Sequence, residues 1–92
     1  MSNEAMPQIF IDLNARMTNN GFLLTEGSLD DLAKLGLTPE TAVGKRFTFM
    51  GGDDEDNGQP ADIMFDGTIQ KDETFGYLAV SDARGIYWKA KP

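Results

Sequence analysis

Apolar and polar positions follow one period before Gly44 and another after it. From Pro7, the residues Ile9, Phe10, Leu13 and Met17 recur at helical spacing, with Gln8, Asp12, Arg16 and Asn19 on the flanks. This spacing predicts a helix over 7–20. Pro7 opens it where a missing N–H costs nothing, and Asn19-Asn20-Gly21 stops it. Phe22-Leu23-Leu24 is long enough only for a strand fragment or an extended connector. A second helix is predicted over 28–36, with Ser28 as its cap and Asp31 three residues on approximating a capping box. Leu29, Leu32, Ala33 and Leu35 form its apolar side, and Gly36 ends it. Thr38-Pro39 then caps and opens one further turn. Residues 1–6 are small and polar and are expected to be disordered.

The segment 44–90 reads as a β meander. Phe47 and Phe49 alternate with polar neighbours, as do Ile63, Phe65, Gly67 and Ile69, and a Gly/Asp-rich stretch between them predicts a solvated hairpin loop. Gln70-Lys71-Asp72-Glu73 is a charged turn, 75–80 a third strand, Asp82-Ala83-Arg84-Gly85 a tight turn, and 86–90 a fourth strand. Gly67 and Gly76 fall inside strands, where glycine marks a bulge or bend. The expected fold is therefore α+β and a single domain over 7–92. Two short N-terminal helices would pack on a strongly bent four- to five-stranded antiparallel sheet, which at the level of pattern resembles an SH3-like small barrel. The alternation assigns Phe47, Phe49, Ile63, Phe65, Ile69, Leu78, Val80, Ile86 and Trp88 inward. It leaves Met50, Met64, Phe75, Tyr77 and Tyr87 on the opposite faces.

Composition narrows the function classes. The 92 residues carry a net charge of −7, with basic side chains scattered in sequence, which disfavours binding to phosphate backbones. There is no cysteine and no histidine, so disulfides, thiolate or imidazole metal sites and histidine acid–base chemistry are all excluded. No stretch reaches the ~20 apolar residues of a membrane span. The N-terminus has no signal-peptide pattern, and the expected compartment is the cytoplasm.

Candidate chemistry concentrates between Gly51 and Asp66, a stretch with Asp53, Asp54, Glu55, Asp56, Asp62 and Asp66 and no Lys or Arg. Asp53, Glu55 and Asn57 followed by Gly58 resemble the start of a calcium loop. The twelfth position, however, is Met64 where a bidentate Glu is needed, so no metal or other cofactor is expected. The same carboxylates can instead steer a basic protein partner or act as an acidic inhibitor that mimics nucleic acid. Asp62 and Asp66 share one strand face, but as an acid–base pair they would need joint burial, and no enzymatic activity is expected. The apolar set Phe75, Tyr77, Tyr87 and Met64 is either a second packed face or a partner-binding patch. The resulting expectation is a small cytosolic, non-catalytic protein-interaction module, monomeric or homodimeric, with a calcium-dependent binding protein as the alternative.

Overall fold

The computed structural model describes residues 6–56 and 58–90. The first five residues, the last two, Asn57 and the side chain of Asp56 lie outside the described residues, and with them most of the segment expected to be disordered. The elements in chain order are β1 (Gln8–Phe10), a 3-10 turn (Leu13–Ala15), β2 (Gly21–Leu23), α1 (Glu26–Lys34), α2 (Pro39–Ala42), β3 (Arg46–Asp56), β4 (Gln59–Asp72), β5 (Gly76–Ser81) and β6 (Tyr87–Ala90). Six strands form one open sheet of order β1-β3-β4-β5-β2, with β6 added to β4. The β1–β3 pair is parallel and the others are antiparallel. The expected four- to five-stranded antiparallel barrel is thus replaced by an open mixed sheet, because the N-terminal segment contributes two short strands of its own, one of them parallel to β3.

No helix forms over 7–20. Ile9 and Ile11 are buried on either side of the exposed Phe10, a period-two pattern that wins over the helical one. The Asp12 carboxylate accepts from the Asn14 N–H at 2.9 Å, bending the chain into the 3-10 turn. Two side chains of α1 then occupy the outer edge of β1. Ser28 Oγ donates to the Phe10 carbonyl at 2.6 Å, and Asp31 accepts from the Phe10 N–H at 2.9 Å. This work displaces Ser28 from its expected capping role. The helix begins three residues earlier behind Thr25, whose N–H reaches Ser28 Oγ at 3.2 Å. The second helix does begin as its Thr38-Pro39 signal implies, with Thr38 Oγ1 accepting from the Thr41 N–H.

Helices α1 and α2 cover one face of the sheet. Beneath them lie Ile9, Phe47, Phe49, Phe65, Ile69 and Ala79, together with Phe22, whose ring stacks on Phe65 at 5.2 Å. The faces of β5 are the reverse of those expected. Ala79 pairs with Ile69 on the covered face, and Leu78 pairs with Gln70 on the other. The cause is the three-residue loop between Asp72 and Gly76, held by Asp72 Oδ1 accepting from the N–H groups of Thr74 and Phe75. Gly67 marks a close approach of strands rather than a barrel corner. A Cβ there would lie 1.9 Å from the Val80 carbonyl oxygen. On the same edge β4 pairs with β6 over 61–64 and with β5 over 67–72.

Candidate functional site

Among the described residues the acidic stretch is extended strand, within Arg46–Asp56 and Gln59–Asp72, where a solvated hairpin loop was expected. A β-bulge at Gly51 sets its geometry, since the register shifts between Met50 and Gly52. Up to that point the odd residues Phe47 and Phe49 face the core; beyond it the even residues Gly52 and Asp54 take that face, opposite Ile63 and Ala61. A Cβ at Gly51 would lie 2.5 Å from the Leu13 side chain, which would have to shift, and Gly52 after it takes φ +117°, a conformation that favours glycine. Asp54 is thereby turned toward Trp88. The Trp88 indole N–H donates to Asp54 Oδ2 at 3.0 Å. Trp88 pairs with Ile63 on β4, and Asp54 opposes Ala61 from the far side of the same strand. The indole therefore crosses β4 above Ala61, which is fully buried. The hydrogen bond from Trp88, seconded by the Glu55 N–H, holds the Asp54 carboxyl below its ordinary range.

Trp88 was expected in the core, and it lies on the core-side face. It is nevertheless 46% exposed, with Ile86 beside it in the chain at 41%. The reason is coverage. A nine-residue α1 spans roughly 14 Å, whereas the fourteen residues of β4 span roughly 45 Å. The tongue formed by the distal halves of β3 and β4 with β6 runs out beyond the helices.

The residues of the expected partner patch are separated. Met64 and Tyr87 form a cross-strand pair on the face away from the helices, but Met64 is only 2% exposed. Tyr77 packs against the core cluster, and Phe75 is exposed in the β4–β5 loop. Tyr87 is anchored: its hydroxyl donates to Asp66 Oδ1 at 3.0 Å, where the Thr48 hydroxyl also donates, and the Arg84 guanidinium stacks 3.8 Å from its ring centroid. Burial, and next the Asp66 carboxylate, push the Tyr87 hydroxyl above its ordinary pKa of 10.0.

No protein-family model, curated protein or solved structure matches this chain. Its chemistry rests on the residues alone. Asp53 and Glu55 are exposed on the strand face opposite Asp54, and Asn57 lies outside the described residues. Among the described residues, no group of three carboxylates is placed to hold a metal ion. Asp62 and Asp66 share a face of β4 as expected. About 13 Å of strand separates their Cα atoms, and Asp66 is engaged with Thr48 and Tyr87. A shallow cleft of about 420 Å³ lies between the 16–20 segment and the β5–β6 turn. Much of its polar lining is paired: Arg16 donates to the Thr18 and Asn19 carbonyls, Asn20 Nδ2 to the Ser81 carbonyl, and Asp82 is bridged by Arg46 at 3.1 Å. Among the described residues no helix is long and apolar enough to cross a membrane.

Sequence reasoning missed Trp88 and its partner Asp54 as a surface pair. No sequence signal marks the pair: β3 and β4 outrun the helices because the acidic stretch, expected as a loop, is itself strand and the 7–20 helix does not form.

Proposed function

We propose that this chain is a small, non-catalytic, cytoplasmic protein-interaction module that engages its partner through the Trp88 end of the sheet. The observation that carries this reading is the half-exposed tryptophan held in one orientation by Asp54, with the exposed Ile86 nearby in the chain. A large ring with few rotamers, fixed before binding, loses little entropy on docking, and tryptophan is the residue most enriched at binding hot spots. Phe75, also exposed, sits in a loop by the β4–β5 turn without such a brace. The net charge of −7 favours a basic partner over nucleic acid and works against a homodimer formed through this end.

Affinity capture with wild-type, Trp88→Ala and Phe75→Ala baits tests the reading. Each bait is first shown to unfold cooperatively in urea. Wild-type Trp88 should emit near the wavelength of a solvated indole and be readily quenched by acrylamide. A partner retained by Phe75→Ala and lost by Trp88→Ala supports the proposal. A partner held equally by Trp88→Ala, or a blue-shifted and unquenchable emission, overturns it.

A further inference from the structure

The sheet has several edges, and most are covered. α1 occupies the edge of β1 through Ser28 and Asp31. The 16–18 segment folds back on β2, with the Met17 and Thr18 N–H groups on the Gly21 carbonyl and an Arg16–Phe22 bridge. The distal edge of β3 is broken by the Gly51 bulge, where Leu13 packs. β6 and the distal residues Gly52–Asp56 of β3 pair, among the described residues, only with β4, and of the two it is β6 that carries Trp88. Alternate residues of Tyr87–Ala90 therefore direct main-chain N–H and C=O groups away from the sheet. Asp54 lies on the Trp88 face of the sheet, on β3 across β4 from β6, and its carboxylate reaches the Trp88 indole; Lys89 is on β6 itself.

We propose that the free edge of β6 accepts an extended, basic segment of a partner protein as an added strand, with a Lys or Arg of that segment lying against the open face of Trp88. The inference rests on the interaction reading above and names the chemistry of the partner. Strand addition draws its affinity from main-chain hydrogen bonds and its selectivity from alternate side chains. Here selectivity comes from one aromatic face with the Asp54 carboxylate at its edge, in a chain of net charge −7, which together favour a cation. Charge decides between occupants. A second copy of this chain would bring two acidic tongues together, whereas a basic strand neutralises them.

The probe is a capped peptide of alternating Lys and Val, about eight residues long, compared with its Glu-Val counterpart. A third peptide keeps the Lys-Val sequence but has the amides of one edge N-methylated. Binding is read from Trp88 emission and from backbone amide resonances of the 15N-labelled full chain. The expected result is that Lys-Val peptide perturbs Trp88, shifts amides of 87–90 and protects alternate ones from exchange. Affinity should fall about tenfold or more between roughly 50 and 300 mM salt. Glu-Val peptide should be silent, and Trp88→Ala and Asp54→Asn should each weaken binding about tenfold. Equal binding of the N-methylated peptide, or shifts centred on β3, would overturn strand addition at β6. Should capture of a partner still depend on Trp88 in that case, the interaction module stands and only its mode is wrong.

Discussion

Replacing Gly67 by alanine should damage the fold out of proportion to one methyl group. The new Cβ would stand 1.9 Å from the Val80 carbonyl oxygen, 2.8 Å from the Val80 carbonyl carbon and 3.1 Å from the Ser81 Cα. All three are backbone atoms, so no side chain can rotate away. Moving from 1.9 Å to the 3.0 Å floor of real Cβ contacts takes about 1.1 Å between β4 and β5. A ladder bond of ~2.9 Å stretched by that much is no longer a hydrogen bond. Overpacking costs about 1–3 kcal/mol, and one or two lost ladder bonds add roughly 1–3 kcal/mol. The sum is about 4 kcal/mol, a large part of the roughly 5–14 kcal/mol available to a domain of this size. At roughly 4–8 °C per kcal/mol, Tm should fall by at least about 15 °C. Gly36→Ala is the control. Its φ is +75° with nothing within 4 Å, so only backbone strain of about 1–2 kcal/mol applies. Thermal and urea unfolding of both variants measure the difference. A Gly67→Ala protein melting within about 5 °C of wild type would show that β5 does not approach β4 as described.

Ser28→Ala removes a fully buried hydroxyl that donates to the Phe10 carbonyl and accepts from the Thr25 N–H. Urea unfolding should show a loss of about 1–3 kcal/mol with an unchanged m value. Tyr87 makes stability depend on alkaline pH. Its folded pKa lies above the unfolded value of 10.0, so above that pH the native state binds more protons than the unfolded chain. The contribution of Tyr87 should be constant below about pH 10 and decline as pH rises further. In Tyr87→Phe that part of the decline should vanish, with a loss of about 1 kcal/mol at neutral pH from the missing bond to Asp66.

The parts of the fold legible in the sequence were those decided locally. Thr38-Pro39 specified the start of α2 because cap and ring act within one turn. The alternation through β3 and β4 placed Phe47, Phe49, Phe65 and Ile69 correctly in the core. What failed depended on distant partners. Ile9, Phe10 and Leu13 fit a helix face until β3 offers β1 a parallel edge, some forty residues along the chain. The loop at Asp72–Gly76 reversed the faces of β5, and the extra residue at Gly51 exchanged the faces of distal β3. For the site, the acidic stretch and the aromatics were visible in the sequence, yet the meeting of Asp54 and Trp88 was not. That contact requires the bulge, and a single inserted residue leaves no mark on composition.

The placement of β1 and β2 has a consequence for synthesis. These strands come first in the chain but lie at opposite ends of the β1-β3-β4-β5-β2 path. β1 has no strand to join until β3 has emerged, and β2 none until β5 is complete at Ser81. Contacts this remote in sequence make folding slow, because the loop must close before any pairing repays its entropy. A nascent chain on the ribosome therefore holds Ile9 and Ile11 unburied until β3 has emerged, and Phe22 until β5 has.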